Sequence, residues 1–164
     1  MMAFMQAING AAKGQQNVQN AVDFDIFKST LNLIANSRAC DGAFRDETGQ
    51  PVRLTYVGAM VPGTSILSPA APLAVAKLYF GATPLATPGM PMGAGMKLSK
   101  LEFVEAIYER DVVVGAVTYR SFAALLHVEA TKQIGAQGGA GYATNLGVHV
   151  LAGFANGSIE KCVE

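Results

Sequence analysis

Two histidines, two cysteines and a few carboxylates are the residues of this chain whose types could do chemistry, and their spacing decides which chemistry. His127 stands two residues before Glu129. On a strand, residues i and i+2 share a face, so the two could form an acid–base pair. A half-buried histidine beside a solvated glutamate is the plainer reading of the same spacing. His149 lies between Val148 and Val150 and faces solvent or a partner. Asp41, Asp46 and Glu47 fall in one loop. Calcium takes about six to eight oxygens, and these three carboxylates lack EF-hand spacing, so they read as a solvated loop. Cys40 and Cys162 form no CxxC and have no histidine near them in sequence, which leaves zinc without a ligand set. Two readings of the cysteines stay open. In an oxidising compartment they pair and tie the end of the chain back to the first helix. In the cytosol they are two unrelated buried thiols.

The familiar catalytic strings are absent: no HExxH, GxSxG or Walker pattern occurs. GAGMKLS around Gly95 has Met96 where a phosphate loop needs its lysine. Gly138 to Gly141 is glycine-rich without the GxGxxG spacing of a dinucleotide site. Asn156-Gly157-Ser158 matches a glycosylation sequon, but it coincides with a turn signal that explains it. The expectation is therefore a protein that is not an enzyme, with no catalytic residues, no cofactor and no metal.

The elements that would position these residues follow from composition and pattern. The 164 residues suit one domain. Twelve Lys+Arg balance twelve Asp+Glu, so there is no basic stripe for nucleic acid. Hydrophobic residues are 51% and charged residues 15%, against about 25% charged in ordinary domains. That composition excludes a disordered chain and suggests surface hidden in an assembly. Residues 1–38 read as helix, with apolar residues at Phe4, Ile8, Val18, Val22, Ile26, Leu31 and Ile34. Its stripe is expected to be core, except over residues 1 to about 15, where helix length outruns the sheet. Asp23 to Phe27 is a candidate kink. At about 1.5 Å per residue such a helix exceeds 50 Å, so part of it should protrude or pack on a neighbouring chain.

Residues 39–164 read as sheet. VRLTYVGAM, LAVAKLYFG, KLSKLEFVEAIYER, VVVGAVTYR and LGVHVLAG carry strand patterns, and FAALLHVEATK could be strand or helix. GAQGGAGYA reads as a flexible loop, and Asn156-Gly157 predicts a two-residue type I′ hairpin. No apolar stretch reaches the roughly 18–20 residues of a membrane span, and MMAFMQAINGAA does not read as a signal peptide. Helix first and strands after predicts an α+β fold: a long N-terminal α-helix packed on an antiparallel β-sheet, in one domain.

The helix end NLIANSRACDGAF, the short strands after it, the Gly-rich loop and the closing GSIEKC together resemble a type IV pilin-like protein, a minor pilin or pseudopilin. The likeness spans nearly the whole chain as a layout and is closest over residues 31–44 and 148–162. It implies a soluble part that lacks the leader and the first half of the helix, with MMAFM as the stump. It further implies a C-terminal hairpin tied back by a Cys40–Cys162 disulfide, and a structural subunit of a type IV pilus or secretion pseudopilus. Phe4, Ile8, Val18 and Val22 would form the assembly face, and the loops of residues 58–96 would carry adhesion or subunit contacts. The implied partners are other pilin-like subunits, the membrane enters only through the missing helix segment, and the location is extracytoplasmic. Two other classes compete: another extracytoplasmic assembly protein, such as a phage structural subunit or adhesin tip, and a small enzyme or ligand-binding module.

Overall fold

A computed structural model describes residues 2–37, 40–93, 95–132 and 141–163, with the helix side chains described from Gly14 onward. Helix α1 runs Met2–Ala35 without a break, including across Asp23–Phe27. Side-chain pairs four residues apart brace it: Gln16 donates to Asn20 at 2.9 Å and Gln19 to Asp23 at 2.9 Å. At its C-terminus Asn36 donates from both its backbone and its side chain to the Asn32 carbonyl, which would otherwise be orphaned.

Among the described residues nine strands follow, all paired antiparallel. They are β1 Phe44–Arg45, β2 Leu73–Ala74, β3 Lys77–Phe80, β4 Thr83–Ala86, β5 Pro91–Met92, β6 Met96–Val114, β7 Val117–Lys132, β8 Tyr142–Gly153 and β9 Ile159–Cys162. A small sheet has the order β1-β3-β4, and a larger one runs β2-β6-β7-β8-β9 with β5 also on β6.

Strand outweighs the 34-residue helix, and this overturns the expected α+β architecture of a long helix packed on a sheet. The molecule is mostly antiparallel sheet. The physical reason lies in the core. Among the described side chains the largest fully buried ones are Phe44, Phe103, Phe122, Leu78, Met96, Leu98, Leu126, Ile159, Val75, Val128 and Val150 from strands and loops, with Ile34 from the helix. Phe44 meets Phe103 edge-on at 5.0 Å, and Tyr108 meets Phe122 at 5.7 Å.

Several strand expectations also change. VRLTYVGAM makes only one isolated bridge, from Arg53 to Ser158, although Val52 and Leu54 are buried. LAVAKLYFG divides into β2 and β3, which belong to different sheets. FAALLHVEATK is strand throughout, as part of β7. The β8–β9 connection is longer than two residues, because β8 ends at Gly153 and β9 starts at Ile159. Asn156 does not adopt positive φ; its side chain instead accepts from the Ser158 amide at 3.0 Å in an Asx-type turn. Gly157 is required twice over, by its φ of 68° and because an added Cβ would stand 1.9 Å from the Leu54 carbonyl oxygen. Residues 133–140 of the glycine-rich segment, including most of Gly138–Gly141, lie outside the described residues, as does position 38 at the expected helix end.

The disulfide joins Cys40 to Cys162 across a separation of 122 residues. Two weaker links reinforce it: the Gly42 amide donates to the Glu160 carbonyl at 3.1 Å, and Lys161 faces Asp41 at 3.3 Å. The end of β9 is thereby sewn to the segment just after α1.

Candidate functional site, the outward face of the helix

The helix contributes residues to two surfaces of opposite fate. Asn20, Phe24, Leu31, Ile34 and Ala35 are buried, and Phe24 stacks on Tyr142 of β8 with ring centroids 5.4 Å apart. Val18, Val22, Ile26 and Leu33 are exposed at 66%, 46%, 60% and 73%. At about 100° of rotation per residue, these four fall within an arc of roughly 80°, on the side opposite the buried set. Ser29 shares the arc, and Asp25 and Lys28 flank it, paired with each other at 3.2 Å. The result is a helix that is apolar on both sides, with only one side used by its own fold. Ile26 also borders a cavity of about 280 Å³ lined by Phe27, Thr30, Leu85 and Met90.

Of the expected assembly residues, Val18 and Val22 lie on this exposed face, and the side chains of Phe4 and Ile8 lie outside the described residues. The expectation that Val18, Val22 and Ile26 are core is corrected. The core-facing stripe is Phe24, Leu31 and Ile34, on the opposite side of the helix. Asn20 explains why this was hard to read: a polar residue holds a core position, where its Oδ1 is bonded by Gln16. Gly95 is the feature that admits it, because an added Cβ there would come within 2.3 Å of Gln16 Nε2 and 2.5 Å of Asn20 Oδ1.

The residues read as candidate chemistry are placed as follows. His127 and Glu129 do meet, with Nε2 and Oε1 3.2 Å apart, and Nδ1 lies 2.6 Å from Asn145 Oδ1. The Asn145 hydrogen bond, followed by the Glu129 contact, raises the His127 pKa above its ordinary value, and His127 in turn lowers that of Glu129. His149 lies 3.2 Å from Glu109, which also accepts from Ser121 at 2.9 Å. In that cluster the carboxylate is central and the serine does not bond the imidazole, so it lacks the nucleophile–base contact of a hydrolase. Asp41, Asp46 and Glu47 do not converge. Asp46 accepts from Thr48 and Gln50 within its own turn, chiefly through the Thr48 hydroxyl, which lowers its pKa, while Asp41 faces Lys161. Among the described residues, no group of three or more His, Cys, Asp or Glu could hold a metal ion. Among them also, no helix is long and apolar enough to cross a membrane.

Compared with protein-family models, with curated proteins and with solved structures, the chain matches none.

Proposed function

We propose that this chain is a non-catalytic structural subunit of an extracytoplasmic filament of the type IV pilus or pseudopilus kind, assembling through the outward face of α1. The observation that carries the reading is the exposed stripe Val18, Val22, Ile26 and Leu33 on the side of the helix away from the core. Apolar surface concentrated in this way marks an interaction site more often than a solvated surface. A helix of the same kind from a neighbouring subunit is its natural partner, because side chains at i, i+4 and i+8 form a ridge that seats in the groove of another helix. The cavity beside Ile26 supplies a depression next to that ridge. The Cys40–Cys162 bridge supports a place outside the cytosol, where such bonds persist. In this reading the exposed parts of residues 58–96 that lie away from that cavity carry adhesive or subunit contacts.

The test is assembly of the full chain in its native host and in solution, with Val18→Asp and Val22→Asp combined. Both side chains are exposed, so the expected result is an unchanged circular-dichroism melt and loss of assembly, read by electron microscopy and sedimentation. Retention of wild-type assembly by the double variant would remove the reading.

A further inference from the structure

At the far end of the sheet from the helix contacts, the β6–β7 hairpin and the loop after Tyr56 enclose a cleft of about 560 Å³, lined by Gly58, Ala59, Met60, Tyr108, Asp111, Arg120 and Phe154. Its organising residue is Arg120, a cation only 8% exposed. The guanidinium is clamped between two rings, 4.7 Å from the Tyr56 centroid and 4.5 Å from that of Phe154. Each part of the clamp is itself held. The Tyr56 hydroxyl donates to the Gly153 carbonyl, the residue that precedes Phe154. Both terminal nitrogens of Arg120 donate to the Gly58 carbonyl at 3.2 Å. Burial raises the Tyr108 pKa, so its phenol stays protonated and donates to Asp111 Oδ1 at 2.9 Å.

This construction leaves hydrogen-bonding capacity unspent. Arg120 Nε is buried without a hydrogen-bond partner, at 3.8 Å from Asp111 Oδ1, beyond bonding distance. A guanidinium offers five N–H donors, and the two bonds to Gly58 do not exhaust them. Asp111 has a second oxygen, and its side chain is 44% exposed at the mouth of the cleft. The pair is neutral overall, so the cleft holds no net charge to capture an ion. It offers donors and acceptors side by side, next to apolar wall from Phe154, Met60 and Ala59. Phe154 is 46% exposed with Arg120 against one face of the ring, which leaves a ring surface for stacking.

We propose that this cleft binds a saccharide ring, with Asp111 and Arg120 sharing adjacent hydroxyls and Phe154 taking the C–H face of the sugar. Each hydroxyl is both donor and acceptor, which suits a neutral Arg–Asp pair better than a carboxylate or an ammonium group does. The apolar face of a pyranose suits an aromatic platform flanked by a few converging polar groups. This goes beyond the filament reading and does not rest on it, because a monomer that never assembles would still present the cleft.

The experiment is an NMR titration of the full, ¹⁵N-labelled chain with methyl glycosides of glucose, galactose, mannose and the N-acetylhexosamines, up to about 10 mM, ten times a weak-binding benchmark of about 1 mM. The expected result is a saturable shift of the Arg120 Nε–H and the Ala59 and Met60 amides with at least one glycoside. Phe154→Ala should weaken that binding about tenfold, which corresponds to about 1.4 kcal/mol. Ala59→Phe, at an exposed position, should fill the cleft and abolish the response while the melting curve is unchanged. No response to any glycoside would overturn the proposal. So would a response that survives in Ala59→Phe, or one given by acetate or methylammonium in place of the sugars.

Discussion

The outward arc of α1 and the outer face of the β6–β7–β8 sheet are both surfaces that the core does not use, and they are built differently. The sheet face is laced together for water. Ser121, Glu109 and His149 form one cross-strand group, and Lys100, Glu129, His127 and Asn145 form another, with contacts of 2.6–3.6 Å. The helix arc has valine, isoleucine and leucine standing in solvent. A surface completed with its own hydrogen bonds needs no partner. A surface of aligned branched side chains, opposite an equally apolar core face, has its partner outside the fold.

The largest effect that could break this contrast is at the foot of the helix. Replacing both Cys40 and Cys162 by Ser releases a 122-residue closed loop. The chain-entropy relation puts the loss at about 5 kcal/mol, or a Tm fall of about 10–20 °C, measured by calorimetry in non-reducing buffer. A fall of only a few degrees would mean that the Asp41–Lys161 and Gly42–Glu160 links hold β9 unaided. Next in size is a pair of leucines two positions apart. Leu31→Ala on the buried side should cost about 2–5 kcal/mol. Leu33→Ala on the exposed side should stay within about 0.5 kcal/mol in the unassembled chain. Equal losses by denaturant titration would show that the exposed arc is covered within the monomer.

The smallest effect sharpens the sheet side. His127 has a folded pKa above the ordinary 6.5, so its contribution is complete below that value and is lost as pH rises through the folded pKa. Glu129 has a folded pKa below 4.5, so its contribution is present above 4.5 and is lost as pH falls through its folded value. The two overlap fully between pH 4.5 and 6.5. Asn145→Ala removes the leading cause of the histidine shift. The His127 titration midpoint, followed by imidazole NMR, should therefore move down towards 6.5. An unmoved midpoint would assign the shift to Glu129 instead.

How legible was this in the residues? The helix, the strand character of the long C-terminal segments and the cysteine pairing as one of two readings were. The register of β6 was not, for a definite reason. The pairing with β7 shifts at Ser99, Val104 and Glu109, five residues apart each time. Core positions therefore run Met96, Leu98, Leu101, Phe103, Ala106, Tyr108, in steps of two and three. Strict alternation places Leu98 and Leu101 on opposite faces, whereas the bulge puts both inside. The same five-residue rhythm delivers Glu109 to Ser121 and His149. The turn at Gly115, with φ of 64° between Val114 and Val117, sits inside VVVGAV and interrupts no apolar run, so composition alone does not flag it. On the helix, strand-like expectations play no part; there the ambiguity is that two apolar faces compete, and the inward one is marked by contacts distant in sequence, Phe24 with Tyr142 and Asn20 with Gly95. The cleft at Arg120 carries no sequence motif, because its parts come from residues as distant as Gly58 and Phe154.

The sulfur link also settles how the molecule would carry load. Pulled between its helix and the residues beyond Cys162, the chain cannot pay out the segment between the two cysteines, because tension crosses at Cys40 directly to the last strand. At about 3.3–3.6 Å per residue, some 400 Å of slack is kept off the load path. The sheets then behave as a cargo hung beside the line of force, and only the helix and its short tether can stretch.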